Sequence, residues 1–204
     1  MKKRQLEIAL SRLKRSPSPN IAFETYDLDP KVGSELLFIA EGKYGDISEK
    51  SIVDLGCGTG ILAIGAALLG AKNVTGIDIN KESVRTAREN VRALEIDMDL
   101  ITGDIEAVRG IFDTTVMNPP FGTRIRGYDI LFLRKAIEVS RSIFSLHKRG
   151  EPNRKFLRYK VEGLGGYIEA IFEMEIEILH TYPFHEKKTH RVAVDLYHIV
   201  SHIG

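Results

Sequence analysis

The chain has 204 residues, and its 29 Lys and Arg residues nearly balance its 28 Asp and Glu residues, which leaves a net charge of +1. This balance excludes a protein that coats nucleic acid through overall positive charge, so any contact with nucleic acid must come from local basic patches. The single cysteine excludes an intramolecular disulfide and favours a reducing, cytoplasmic setting, and no apolar run reaches the roughly 18 residues of a membrane span.

The beginning of the chain is predicted to be helical. Apolar residues recur at helical spacing over residues 2–15, and a Ser- and Pro-rich loop at 16–20 follows. A proline opens a second amphipathic segment at residues 30–42. The start of the chain is too charged for a secretion signal. We therefore expect residues 1–45 to form a helical extension of one domain that spans residues 1–204.

The rest of the chain alternates between apolar runs and amphipathic segments. Apolar strands separated by helices predict a parallel sheet covered on both faces. Two final segments alternate with a period of two residues, which predicts an antiparallel hairpin. The pattern as a whole predicts an α/β, Rossmann-like fold with a seven-stranded, mostly parallel sheet, an antiparallel C-terminal hairpin, and helices on both faces. The predicted strands cover 51–55, 73–79, 98–101, 112–117, 143–146, 167–179 and 190–200, and the predicted helices cover 61–69, 81–94, 127–140 and 152–162.

A glycine-rich turn follows the first predicted strand. It reads Asp54-Leu55-Gly56-Cys57-Gly58-Thr59-Gly60, and its glycines allow the backbone to turn tightly and to approach a ligand closely. The spacing differs from the Gly-x-Gly-x-x-Gly of dinucleotide enzymes, which seat a pyrophosphate on a helix N-terminus. An acid just before the turn suits an ammonium or sulfonium cation better than a pyrophosphate, and S-adenosylmethionine carries both cations.

Two further acids lie at the end of the second predicted strand and just after the third. Asp78, followed by Ile79, stands where an acid can accept hydrogen bonds from both hydroxyls of a ribose. Asp104, followed by Ile105, can take the exocyclic amine of an adenine. Taken together, the three acids and the glycines predict an adenosine-type ligand, and the alternative is a glycine-rich turn without a ligand.

The tetrapeptide Asn118-Pro119-Pro120-Phe121 follows the fourth predicted strand. An amide and a backbone carbonyl can accept both hydrogens of a planar amine, and two prolines fix the backbone that aims them. An aromatic ring can stack on a base. These residues are therefore candidates for catalysis, and Asn118 also for cofactor contact; the alternative is a rigid turn.

The two motifs resemble those of class I amino-methyltransferases, and more closely those of the methyltransferase-like-5 family of small-subunit ribosomal RNA adenine-N6 methyltransferases. The resemblance covers nearly the whole chain, and a composition with one glutamine suggests a thermophilic or archaeal member. It implies S-adenosyl-L-methionine as cofactor, S-adenosyl-L-homocysteine as product, and a small zinc-binding activator subunit. It also implies that Glu24, Thr25 and Tyr26 help to enclose the cofactor. Supporting segments are Leu68-Leu69-Gly70-Ala71, Ser145-Leu146-His147-Lys148, Phe184-His185 with Lys187-Lys188, and Val194-Asp195-Leu196.

Basic residues in loops beside the predicted catalytic end are candidates for phosphate contacts with RNA. The histidines of the last third, by contrast, have no spacing that suits a metal site. The candidate RNA-binding residues are Arg124, Arg126, Lys148, Lys187 and Lys188, and further basic residues follow the fifth strand.

Other functions remain open at this point. The same tetrapeptide suits methylation of DNA adenine, of guanine N2 in ribosomal RNA, or of a glutamine amide in a release factor. A non-catalytic scaffold that binds RNA or protein is also possible, although the intact Asp54, Asp78 and Asn118 argue against it.

Overall fold

The computed structural model describes residues 1–16, 28–120, 127–179 and 189–202. It contains a seven-stranded sheet with the strand order β3-β2-β1-β4-β5-β7-β6. The strands are β1 (Ser51–Leu55), β2 (Asn73–Asp78), β3 (Asp99–Thr102), β4 (Phe112–Met117), β5 (Ser140–Lys148), β6 (Gly166–Leu179) and β7 (Thr189–Ser201). The helices are α1 (Lys3–Ser11), α2 (Pro30–Ile39), α3 (Ile61–Leu68), α4 (Lys81–Ala93), α5 (Tyr128–Val139) and α6 (Glu151–Gly163).

The direction of the strands confirms the predicted topology. The pairs β1–β2, β1–β4, β2–β3 and β4–β5 are parallel, whereas β7 is antiparallel to both β5 and β6. β3 lies at one edge of the sheet, and β7 is inserted between β5 and the other edge strand. The carboxyl ends of the parallel strands therefore lie along one side of the sheet, which we call the carboxyl edge. Ligands of open α/β sheets bind at this side.

Helices cover both faces of the sheet, because adjacent strand residues point to opposite sides. Ile52 belongs to an apolar cluster that α1, α2 and α3 cover, whereas the neighbouring Val53 belongs to a second cluster under α5 and α6. Gly65 in α3 allows a close helix contact, since a Cβ there would lie 2.4 Å from Leu37 Cδ1. The N-terminal helices are thus part of the core rather than a loose appendage.

Two segments differ from the prediction for identifiable physical reasons. α1 ends at Ser11 rather than near residue 15, because the backbone N–H and carbonyl of Lys14 bond to the side chain of Asn90 instead of continuing the helix. β5 is longer than predicted, since buried Ser140 and Ser142 extend it. Their hydroxyls have hydrogen-bond partners, namely Thr115 for Ser140 and Asp46 for Ser142, so burial of these polar residues is not penalised.

Short helical turns complete the architecture. α2 continues into a π-helical turn at Ala40–Tyr44, and a 3₁₀ turn forms at Ile105–Ala107, which the sequence did not indicate. No helix in the described part of the chain is long and apolar enough to cross a bilayer.

Candidate active site

Asp54 is the most buried acid at the carboxyl edge of the sheet. It is the next-to-last residue of β1, and 1% of its surface is exposed. One carboxylate oxygen, Oδ2, accepts a hydrogen bond of 3.0 Å from the N–H of Ala63 in α3, while Oδ1 is buried without a partner among the described residues. Burial, with a smaller effect from the nearby Asp78 charge, raises the pKa of Asp54 to about 8. A cation or a hydrogen-bond donor placed at Oδ1 would satisfy this group.

The turn from β1 to α3 depends on glycine at defined positions. The backbone φ angles are 74° at Gly56, 53° at Gly58 and 91° at Gly60. Residues that carry a side chain rarely adopt these positive values. A Cβ on Gly56 would lie 2.8 Å from the ring of Phe132, so the turn packs tightly against α5. A Cβ on Gly58 would meet no described atom within 4 Å. The turn is therefore closed on one side and open on the side where a ligand would lie.

Asp78 supports this turn directly. Its Oδ2 accepts a bond of 2.8 Å from the N–H of Gly58, and its Oδ1 accepts a bond of 2.7 Å from the N–H of Asn80. Burial raises the pKa of Asp78, although both hydrogen bonds act in the opposite direction. Each carboxylate oxygen can accept a second bond, so the ribose contact remains chemically possible. The sequence had indicated the ligand contact but not the structural one.

Thr59 lies on the buried side of the turn. It is 4% exposed, and its carbonyl accepts a bond of 3.0 Å from Asn90 Nδ2 in α4. The turn is thereby held from two directions, by Asp78 and by Asn90. The structure thus places Asp54, the glycine turn and Asp78 together, as predicted from their positions at strand ends.

The third predicted acid lies further out along the same edge. Asp104 is exposed, and its Oδ1 accepts a bond of 2.9 Å from the N–H of Glu106, which caps the 3₁₀ turn. Ile105 is buried, whereas Ile79 is 51% exposed and offers an apolar surface beside Asp78. This combination of an exposed acid and an exposed aliphatic side chain suits the edge and the face of a purine ring.

Tyr128 lies near the site but was not among the residues predicted from the sequence. It begins α5, its ring centroid lies 5.8 Å from that of Phe132, and burial followed by the charges of Asp104 and Asp78 raises its pKa. The phenol therefore lies within electrostatic reach of both candidate nucleoside acids. An aromatic residue at the start of the helix after the Asn-Pro-Pro-Phe motif was the available signal.

Asn118 lies next to the glycine turn by strand register. Asp54 in β1 pairs with Val116 in β4, so Asn118, two residues further on, stands level with Gly56. Its Oδ1 is buried and has no partner among the described residues. Pro119 is buried and Pro120 is half-buried. A buried, unpaired amide oxygen is costly unless a ligand satisfies it, so this atom is a candidate acceptor for an amine.

Several predicted contacts lie outside the described residues. These are Glu24, Thr25, Tyr26, Phe121, Arg124, Arg126, Lys187 and Lys188. Lys148 is described and is exposed at the end of β5, on the same edge as Asn118. The described residues contain no group of three or more His, Cys, Asp or Glu side chains that could hold a metal ion.

Two of the basic residues after β5 form internal ion pairs. Arg154 Nε and Nη2 donate to the two oxygens of Asp195 at 2.7 and 2.8 Å, and Arg149 Nε donates to Asp195 Oδ1 at 3.1 Å. Asp195 is 0% exposed. The two guanidinium groups thus join β7 to the start of α6, and they are engaged before any RNA binds.

Comparison with known proteins identifies a family. The family model for the methyltransferase small domain matches residues 22–150. An uncharacterized protein of Methanocaldococcus jannaschii is 37% identical over 98% of this chain and 94% of its own length. The rRNA N(6)-adenosine-methyltransferase METTL5 of Danio rerio is 34% identical over 96% of this chain and 97% of its own length. The crystal structure of a putative RNA methyltransferase from Pyrococcus horikoshii is 36% identical, covers 98% of each chain and superimposes with a TM-score of 0.91.

Proposed function

Because the chain belongs to the methyltransferase small-domain family, we propose that it transfers a methyl group from S-adenosyl-L-methionine to the N6 amine of an adenosine in ribosomal RNA. The observation that carries the proposal is the buried Oδ1 of Asn118 beside the glycine turn, which has no hydrogen-bond partner within the part of the chain that the structure describes. Relatives named as rRNA N(6)-adenosine methyltransferases support the choice of amine, since they match this chain over nearly its full length. The finer assignment to small-subunit RNA, in the cytoplasm, is part of the proposal.

The carboxyl edge of the sheet fits S-adenosyl-L-methionine. Asp54 has a buried oxygen, unpaired among residues 1–16, 28–120, 127–179 and 189–202, that suits the ammonium group, and the turn at Gly58 leaves room for the amino-acid end. Asp78 can accept bonds from the ribose hydroxyls. Asp104, Ile79 and Ile105 would surround the adenine. Glu24, Thr25 and Tyr26 are proposed to complete the enclosure.

The proposed chemistry depends mainly on alignment. The cofactor supplies a methyl group already activated by a sulfonium. The adenine amine is a weak nucleophile, because its lone pair is delocalised into the ring. Asn118 Oδ1 and the carbonyl of Pro119 would accept its two hydrogens and so favour the positive charge that grows on nitrogen. The prolines hold both acceptors in place before the substrate arrives.

The target base must leave its stack to reach this edge, as in other enzymes that modify a base. Phe121 is proposed to stack on the extruded ring. Arg124, Arg126, Lys148, Lys187 and Lys188 are proposed to contact the phosphates around it.

The test uses the variant Asn118→Ala with unmodified ribosomal subunits and labelled cofactor. We expect methyl transfer to fall about 100- to 1,000-fold, the usual effect of losing one transition-state hydrogen bond in a preorganised site. Binding of S-adenosyl-L-homocysteine should change little. Asn73→Ala is the matched control. Asn73 is exposed at the start of β2, where the amino ends of the parallel strands lie, away from the carboxyl edge. Nucleoside analysis should find N6-methyladenosine, in the small subunit only.

Two results would contradict the proposal. Undiminished transfer by Asn118→Ala would remove the assigned role of the amide. Label found in guanine, in DNA or in a protein amide would assign a different amine.

A zinc-binding activator subunit is proposed as a partner along β3. This edge strand exposes Asp99, Ile101 and Thr102, and Ile101 has 45% of its surface exposed. An uncovered edge can pair with a strand of another protein, which would also protect it from aggregation. If the purified chain alone is monodisperse and fully active, this partner is not required.

A further inference from the structure

The outer side of α6 carries two exposed aromatic rings. Phe156 and Tyr159 lie one helical turn apart, with 43% and 72% of their surface exposed. The opposite side of the helix packs into the core through Leu157 and Val161. The two aromatic residues thus form a surface separate from the core contact, and clustered exposed aromatic residues indicate a binding surface.

A lysine side chain lies against both rings. Lys160 Nζ is 5.6 Å from the ring centroid of Phe156 and 5.8 Å from that of Tyr159. Lys155 adds an exposed cation on the Tyr159 side. We call Phe156, Tyr159 and Lys160 the α6 platform. A platform of flat rings with an ammonium group between them offers contacts to both parts of a nucleotide, the base and the phosphate.

The platform is free of acidic residues along its own stripe of the helix. Residues that are four, seven, eight and eleven positions apart lie on one side of a helix. Counted from Pro152, these positions are Phe156, Tyr159, Lys160 and Gly163, so Pro152 and Gly163 lie at the two ends of the stripe that contains the platform. The acidic residues of α6 lie outside this stripe, on the flank that also carries Lys155: Glu162 follows Tyr159 by three residues, and Glu151 pairs with Arg154. The stripe is therefore both aromatic and positively charged.

The platform is held in a fixed position relative to the catalytic edge. The bidentate pair between Arg154 and the buried Asp195 fixes the first turn of α6 to β7. β5, which leads into α6, pairs with β4 so that Ser145 lies opposite Met117, the residue before Asn118. Phe156 stands five residues into α6, about 8 Å along the helix axis from its first residue, Glu151. RNA entering the site can therefore reach the platform with nucleotides close to the target.

We propose that the α6 platform stacks unpaired bases of the RNA next to the target adenosine, an inference that rests on the proposed function. Stacking on aromatic rings tolerates any base sequence, because every base has a π face. It also suits a chain with a net charge of +1, since the overall charge supplies little attraction to phosphate. A protein partner would be the alternative occupant, but Lys160 on the stripe and Lys155 beside it complement phosphate.

The test measures binding of a fluorescently labelled, mixed-sequence single-stranded RNA by the full chain. The double variant Phe156→Ala/Tyr159→Ala should weaken binding about five- to a hundredfold, and the loss should be smaller for a duplex of the same sequence. Lys160→Ala should instead lower the slope of log affinity against log salt by about 0.7. Tyr167→Ala is the matched control, because Tyr167 is an exposed aromatic residue at the start of β6. It lies level with the amino ends of the parallel strands, away from the carboxyl edge. All variants should bind S-adenosyl-L-homocysteine and unfold at the wild-type temperature.

The outcomes separate this inference from the proposed function. If the wild type binds RNA without methylating it, and the double variant loses binding, the platform is supported and the proposed reaction fails. If the wild type and the double variant bind and methylate RNA equally, the platform is overturned and the reaction stands. Loss of a protein partner with unchanged RNA affinity would also overturn the platform.

Discussion

Asp54 and Asn118 have a feature in common: each places one buried oxygen, unpaired within the described residues, near the turn between β1 and α3. Desolvating an unpaired acceptor costs free energy, so a fold keeps such atoms where a ligand repays that cost. The two atoms differ chemically. The Asp54 oxygen belongs to a titratable group whose pKa burial raises to about 8, whereas the Asn118 oxygen is a neutral acceptor at any pH.

Cofactor binding should therefore release a proton from Asp54. A cation beside Oδ1 favours the carboxylate and lowers a pKa that is about 8 in the free protein. The affinity for S-adenosyl-L-homocysteine should then rise by at most about tenfold per pH unit below this pKa and level off above it. Calorimetry in buffers of different ionisation heat measures the proton release. Asp54→Asn should bind more weakly and without pH dependence in this window; no release near neutral pH would contradict the prediction.

Asn90 shows how one residue in a helix joins three elements. Its side chain lies in α4, accepts from the N–H of Lys14 at 2.8 Å, and donates to the carbonyls of Lys14 and Thr59 at 3.1 and 3.0 Å. It is 2% exposed, so water cannot replace these bonds. The segment after α1, the glycine turn and α4 are thus linked through one amide. The exposed ion pair between Lys14 and Glu89 lies beside it but faces solvent.

Removing this amide should cost far more than removing the neighbouring ion pair. Asn90→Ala removes both bonds to the backbone of Lys14 and the buried bond to the carbonyl of Thr59, and we expect a loss of about 2–3 kcal/mol in the free energy of unfolding. It should also weaken binding of S-adenosyl-L-homocysteine, since Thr59 belongs to the glycine turn. Glu89→Ala is the matched control and should behave like the wild type, because exposed ion pairs are screened by water. Urea denaturation compares them; equal losses would contradict the role of the amide.

The whole molecule is built around a sheet whose later strands bury polar groups. His147 in β5 bonds to Ser145, and His198 in β7 bonds to Ser142 and stacks on Phe144 with ring centroids 4.6 Å apart. Burial lowers the pKa of His147 to about 3, although the charge of Asp195 acts in the opposite direction, and burial lowers that of His198 to about 4. Both rings are therefore neutral in the folded protein near neutral pH.

These histidines should make the fold sensitive to acid. In the unfolded chain a histidine binds a proton below about pH 6.5, whereas the buried rings stay neutral down to their lowered pKa values. The stabilisation is thus complete above about pH 6.5 and is lost as the pH falls toward 4. His198→Gln should reduce the slope of unfolding free energy against pH by about 1.4 kcal/mol per unit in this window. His202→Gln, an exposed control, should keep the wild-type slope. A slope that His198→Gln leaves unchanged would contradict the prediction.

The sequence by itself determined the features that depend on neighbouring residues. The run of apolar residues predicted the bounds of β4, Phe112–Met117, and the alternation of apolar and polar residues predicted the final hairpin. Both predictions work because the side-chain period follows from local backbone geometry. The glycine turn, Asp54, Asp78 and Asn118 could be located as a site because parallel strands bring their carboxyl ends to one edge. The residue types alone indicated an amine and an adenosine-type cofactor.

Only the tertiary structure decided which polar groups are already engaged. Asn90 meets Lys14 across 76 residues of sequence, and Arg154 meets Asp195 across 41. No local pattern encodes such pairs, since each becomes possible only after helices and strands have packed. The same is true of the α6 platform: Arg149 and Arg154 turn inward to a buried carboxylate, while Phe156 and Tyr159 stay exposed. Burial, a property of the packed molecule, separates the groups that hold the fold together from those available to a ligand.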